Sequence, residues 1–383
     1  MVTFGRTAPA PSAISINDSA KWNNLRKELS DELSQKIIPS IETFIGNSSH
    51  WIISPDAELN LVPFETLIYH DKMLIESVDV SYVPSLAVLN LMKKRAIKNA
   101  YLGQGKDFFA MGDAIYENSN STTSSNNHPK NLFDKLKDLL VIVKNFFTLN
   151  DTLYGNDDLS ISRGSQVEFF NKLRSKSDEE PDTTSFYRYL RWNNLPGTAR
   201  EIDKVSTLFN SKDIFRKEQV TEKNLQKLNH NGELSNYKYI LFATHGLFVP
   251  DAPEISSIVL SQEFNDDETD GYINVGEWMG YDLRSNLVYL SACESGLGGY
   301  QAGEGIVGIP YALTVAGNKD TVMSLWKVDD EATAEFTSTV FEKLSKGQLE
   351  VTALDDTKRE FIKKDNAKYN NPSVWAAFLL YGI

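Results

Sequence analysis

The sequence holds a single cysteine, Cys293, in 383 residues. That excludes an internal disulfide, and it excludes a thiolate cage for zinc unless other ligand types stand beside it. Histidine is also scarce, with five in all. No His-Glu-x-x-His, Cys-x-x-Cys or Walker-type glycine loop occurs, so neither a metal nor an organic cofactor is expected. Positive charge is in deficit, 39 basic residues against 52 acidic and a net charge of −13. This argues against nucleic acid as a direct partner and leaves no basic stripe for an anionic membrane surface. Long apolar runs are missing, as is a charged-then-apolar signal at the start, so a cytoplasmic chain that does not engage the membrane is expected. What remains, 41% hydrophobic and 24% charged, suffices to bury the core of one large domain or two ordinary ones.

Residues 1–17, rich in Ala, Pro and Ser, read as a flexible leader. From Asp18, the residues Trp22, Leu25, Leu29, Leu33 and Ile37 share one helical face, and Pro39 ends that helix. "HWIISPDAELNLVPFETLIY" reads as a strand, a turn at Pro55-Asp56 and a second strand-like piece; "MLIESVDVSYVPSLAVLNLMKK" passes from strand to helix, and "GKDFFAMGDAIY" is one more strand. Residues 117–191 change character. They hold two polar or charged stretches around one predicted helix, and they form an insertion whose exposed tips at 118–129 and 176–185 are where nicking concentrates. From "LPGTAREIDKVSTLF" onward, helices alternate with the apolar strands "DIFRKEQ", "YKYILFATHG", "SSIVLSQ", "NLVYLSAC" and "TVMSLWKV", and "VWAAFLLYG" closes the chain. The pattern predicts an α/β fold, a mainly parallel sheet flanked by helices on both faces.

In such sheets chemistry gathers at the carboxyl ends of the strands. "YILFATHG" delivers His245 and Gly246 there, and "LVYLSAC" delivers Cys293. A thiol attacks a carbonyl only as thiolate, so it needs a base within reach, and His245 is the natural one. The oxyanion that then develops needs donors already in place, for which the amides of Gly246 and Cys293 are the candidates. Taken singly, a lone strand-end cysteine is more often a small buried hydrophobe, and a histidine before glycine is common in turns. The pair at two adjacent strand ends favours chemistry. "GEGIVG", Gly303 to Gly308, spells a dinucleotide motif but lies ten residues beyond Cys293, and Glu304 would sit beside a pyrophosphate. Helix packing explains those glycines better.

The blocks "ATHG", "LSACESGLG", "GEGIVGIPYALTVAG", "SLWKVDDEAT" and "PSVWAAFLLYG" together resemble the CHAT domain, a caspase-like cysteine peptidase module often joined to tetratricopeptide repeats and distantly similar to separase and caspases. "WIISPDAELNLVPFETL", "VSYVPSLAVL" and "LPGTAREID" extend the resemblance to about Asp18. It implies a caspase-like fold, with residues 18–116 as an N-terminal pseudo-caspase-like part and 192–383 as the catalytic part. The family's dyad falls on His245 and Cys293, whose separation of 48 agrees with the spacing in caspases. The implied activity is that of an endopeptidase acting on a protein substrate, with a regulatory or sensor protein as a further partner, since no repeats are visible here. The pocket for the side chain preceding the cleaved bond would involve Ser291, which carries no charge where relatives have Asp or Gln. Asp330, with Asp329 beside it, would meet a basic side chain, and Trp326 would form an apolar wall. Asp329 and Asp330 serve equally well as helix caps. Two other readings stand against the peptidase: a catalytically silent CHAT-like scaffold, and a flavodoxin-like nucleotide domain resting on the glycines alone.

Overall fold

The computed structural model describes residues 30–39, 41–42, 48–55, 59–60, 62–99, 105–116, 192–247, 255–265, 269–292, 299–301, 305–326 and 328–383. The expected leader, the first turns of the helix begun at Asp18 and the 117–191 insertion lie outside them. Among these residues the strands in chain order are β1 (His50–Ile53), β2 (Ile68–Tyr69), β3 (Lys72–Met73), β4 (Asp79–Tyr82), β5 (Lys106–Gly112), β6 (Lys212–Arg216), β7 (Tyr237–Ala243), β8 (His245–Leu247), β9 (Ser257–Val259), β10 (Tyr272–Asn274), β11 (Leu287–Leu290), β12 (Gly299–Gln301), β13 (Gly305–Val307), β14 (Asp320–Ser324) and β15 (Phe378–Tyr381). The helices include α1 (30–39), α2 (Leu86–Asn99), α3 (Pro196–Ser206), α4 (Glu222–His230), α5 (Val275–Trp278), α6 (Ile309–Val315), α7 (Asp330–Ser345) and α8 (Glu350–Ile362). None of the described helices is long and apolar enough to cross a membrane.

Eight strands form one sheet in the order β1-β4-β15-β14-β11-β7-β5-β6. Six of its neighbouring pairs are parallel, and only β14 and β15 run antiparallel. β11, β14 and β15 are buried throughout, as is all of β7 except Lys238, whereas the edge strands β1 and β6 are half-covered. That gradient is why the inner strands read as continuous apolar runs in the sequence. On one face Tyr239, Leu241, Leu287 and Tyr289 join Ile202 and Val205 of α3, Phe336 and Phe341 of α7 and Leu354 and Phe361 of α8 in a single core. On the other, Phe242 meets Trp278 of α5 edge-on at 5.5 Å, and α2 supplies Val88 and Met92 to a small cluster touched by Tyr311 of α6. The predicted α/β architecture, mainly parallel with helices on both faces, is therefore present.

Two segments depart from the sequence reading. The second strand-like piece before Tyr69 is a 3-10 turn, Phe64–Thr66, followed by the two-residue hairpin β2–β3. Glu65 in that turn is fully buried and held by Lys358, so a tertiary ion pair overrides local β propensity. The strand "YILFATHG" is broken after Ala243, and β8 turns away to pair antiparallel with β9, which in turn pairs with β10.

Gly112, at the carboxyl end of β5, shows how tightly α3 lies on the sheet. A Cβ there would fall 2.5 Å from Ile202 Cδ1 and 2.7 Å from the Ala243 carbonyl oxygen. Because backbone cannot yield cheaply, Gly112→Ala is expected to cost about 1–3 kcal/mol by overpacking. Urea denaturation measures this, and an unchanged midpoint would contradict it.

Candidate active site

β7 and β11 are parallel neighbours, paired from Tyr239↔Leu287 to Phe242↔Leu290. Their offset is 48 residues (290 − 242), the same as the separation of Cys293 from His245 (293 − 245). Cys293 itself lies outside the described residues, as does Glu304. On the β11 side the described chain reaches Ser291, whose amide donates to the Phe242 carbonyl at 2.9 Å, and Ala292, whose carbonyl accepts from the Ser324 hydroxyl at 2.9 Å. The first bond continues the pairing with β7 past the end of β11, and the second ties Ala292 to a side chain at the end of β14.

His245 is partly exposed and fixed from several sides. Its backbone N–H donates to the Tyr116 hydroxyl at 3.2 Å, and that hydroxyl donates to the Val259 carbonyl at 2.9 Å. Burial holds the Tyr116 phenol well above its usual pKa, so it remains a donor. The Tyr116 and Trp192 rings lie 4.8 and 4.9 Å from the imidazole, and the Trp192 indole N–H is anchored on the Tyr272 hydroxyl at 2.8 Å. Nε2 lies 2.7 Å from the Asn193 carbonyl oxygen. A carbonyl only accepts, so Nε2 carries the proton and Nδ1 is the basic nitrogen of the neutral ring. Gly246 follows in β8, opposite Ile258.

Beside His245 is a cavity enclosing about 470 Å³, its open mouth included. Three strand ends supply its base through Thr244, Ser291, Ala292 and Ser324; the start of α3 supplies Gly197, Thr198 and Glu201, and the start of α7 supplies Asp330 and Thr333. The residues preceding His245 and Cys293 in the chain thus both line it. Gly197 permits the two helix starts to meet, since a Cβ there would lie 3.0 Å from Asp330 Cβ. Glu201 is 2% exposed, and its Oε1 has no hydrogen-bond partner among the described residues. Burial pushes this carboxyl up to about 7; the Ser291 and Thr337 hydroxyls draw it back, and the charge of Asp330 pushes it further up.

The structure brings Ser291 and Asp330 together in this cavity, next to His245. Asp329 faces elsewhere: it caps α7 by accepting from the Glu331 and Ala332 amides at 3.2 and 3.1 Å, and it lies 3.1 Å from the Lys368 ammonium. Burial opposes its charge, but those amides and Lys368 outweigh burial and hold the carboxyl below its usual range. Trp326 packs against the main core and donates its indole N–H to the Ser373 carbonyl at 2.7 Å, outside the cavity lining. The glycine-rich segment gives the short hairpin β12–β13, and α6 begins only at Ile309, so it is not the strand-turn-helix of a dinucleotide site. Sequence reasoning missed Glu201, Tyr116, Trp192 and Asn193. Glu201 had one signal: it stands one residue before Ile202 and four before Val205, which puts a charge on the buried side of α3 rather than on its solvated face.

No curated protein matches the sequence. Among solved structures, the Saccharomyces cerevisiae separase–securin complex gives a TM-score of 0.43 at 15% identity, covering 87% of this chain and 16% of that one. The Arg-specific cysteine proteinase gingipain R gives 0.44 at 9% identity, covering 91% of this chain and 66% of that one. The complex of Porphyromonas gingivalis RgpB pro- and mature domains gives 0.40 at 9% identity, with coverages of 91% and 67%. This chain thus spans only a small part of the separase and about two thirds of the gingipain. A family match runs from residue 27 to residue 383, nearly the whole length, and by it the chain belongs to the CHAT domain family.

Proposed function

We propose that the protein is a cysteine endopeptidase working through His245 and Cys293. The observation that carries this reading is the register of β7 and β11, whose constant offset equals the spacing of the two residues. The orientation of His245 supports it, because the Asn193 carbonyl holds the proton on Nε2 and leaves Nδ1 to serve as base. Nδ1 takes the thiol proton of Cys293, and the thiolate adds to the scissile carbonyl carbon. The Gly246 and Cys293 amides meet the oxyanion. As the intermediate collapses, the C–N bond breaks, the leaving amine takes the proton from Nδ1, and a thioester remains. Water then attacks the thioester after losing a proton to Nδ1, which passes that proton to the departing thiolate. The substrate is a protein, and a regulatory or sensor protein controls access to the site.

The test uses peptides generated from a whole proteome, incubated with the full chain and with its Cys293→Ala variant, and new amino termini are read by mass spectrometry. New termini are expected with the unaltered chain alone. Equal cleavage by the variant would end the proposal.

A further inference from the structure

Glu201 presents an anomaly that the dyad does not use. A carboxyl 2% exposed ordinarily finds a cation or a full set of donors, because an ionised acid without them is costly. Among the described residues Oε1 has no partner, and no Lys, Arg or His lines the cavity. The described ionisable group that shares the cavity is a second acid, Asp330, exposed at the start of α7. Two carboxyls therefore converge on one space, with nothing positive between them among the described residues. Among the described residues, the groups facing Glu201 are Tyr289 of β11, Ser291 just past its end, and Asp330 and Thr337 from α7. None of these is basic. The space is bounded by Thr244 and Ala292, the residues immediately before His245 and Cys293.

We infer that this cavity binds a guanidinium or ammonium side chain, with the Glu201 carboxylate as its floor and Asp330 at its mouth, so that Glu201 is the residue selecting a basic side chain before the cleaved bond. A cation relieves both acids together, which a neutral side chain cannot do. Selection before a cleaved bond rests on the peptidase reading, whereas the binding of a cation does not. Asp330 is the weaker partner, because its charge is shared with solvent. Ser291 and Thr198 supply hydroxyls along the wall.

The test is therefore one of binding, without turnover. Acetyl-arginine methylamide and its neutral isostere, acetyl-citrulline methylamide, are titrated into the full chain carrying Cys293→Ala, with affinity read by ligand-observed NMR. The arginine compound is expected to bind about tenfold or more tightly than citrulline, the scale of one buried charged hydrogen bond. Glu201→Gln should bring it down to the citrulline level, while Asp330→Asn weakens it only a few-fold. Glu201→Gln removes a buried charge without changing shape, and circular dichroism confirms that its fold is retained.

Affinity for the arginine compound should fall as pH drops below about 7, because the cation favours the ionised acid and binding therefore releases a proton. His245 adjoins Thr244 of the cavity base, so the Glu201→Gln chain is the control, and it should lose this pH dependence. Equal affinity for the two compounds, absence of saturable binding by either, or an unchanged preference in Glu201→Gln would overturn the inference. Arginine binding by a chain whose unaltered form cleaves nothing would leave the pocket standing and defeat the peptidase reading alone.

Discussion

His245→Ala should lower kcat/KM by about 10²–10⁴, the usual worth of a positioned general base. The same substitution should also change how Cys293 responds to an alkylating agent. In the unaltered chain, alkylation is expected to be rapid near neutral pH, since a neighbouring imidazole stabilises the thiolate. In His245→Ala the rate should rise only towards the ordinary thiol range, about 8.5. The chain's single cysteine makes this assay free of background. Identical pH profiles for the two proteins would show that sulfur and imidazole do not interact. A smaller loss of activity is expected from Trp192→Ala, which removes the ring packed 4.9 Å from the imidazole. It leaves the bond from Nε2 to the Asn193 carbonyl in place, so kcat should fall without displacing the alkylation profile.

Lys358→Met should cost about 3–5 kcal/mol, because removing one partner of a buried ionic group strands the others. Lys358, Glu65 and Asp355 are all fully buried; the ammonium lies 2.6 Å from Glu65 and 3.1 Å from Asp355. Glu65 also accepts from the Tyr82 hydroxyl, and Asp355 accepts from the Val80 amide at 2.6 Å. Burial works against the ammonium, but Glu65 and Asp355 outweigh it and hold Lys358 above its usual pKa. Guanidinium denaturation measures the loss. Adding Glu65→Gln and Asp355→Asn to Lys358→Met should restore much of it, since no charge is then left buried. A single variant costing under about 1 kcal/mol would contradict the assignment.

The strand alternation was legible because the inner strands are covered on both faces, which leaves Tyr239 to Ala243 and Leu287 to Leu290 no polar position to interrupt the run. His245 was legible for a related reason, since an apolar run that stops at a polar ring marks a strand end. The break after Ala243 was hidden, because the hydroxyl of Tyr116, 129 residues earlier, stands between β8 and β9. Local pattern carries no record of such a partner. Glu65 and Glu201 were hidden in the same way: each looks like an ordinary surface acid until its neighbours from distant segments arrive. The sequence reading, following the resemblance, favoured Asp330 for the basic side chain and set Asp329 beside it. Only the packing of α3 against α7 separates a helix cap, Asp329, from a cavity wall, Asp330.

The antiparallel pairing of β14 with β15 has a consequence for synthesis. β15 lies between β14 on one side and β4 on the other, and Phe378 at its start lines the cavity beside His245. The strand that joins the two halves is therefore translated after every other strand of the sheet. A nascent chain still lacking residues 378–381 has both flanks but no bridge, and the cavity lacks one wall. Such long-range closure is slow and comes late. In this sheet the bridge and the last wall of the cavity arrive together, with one strand.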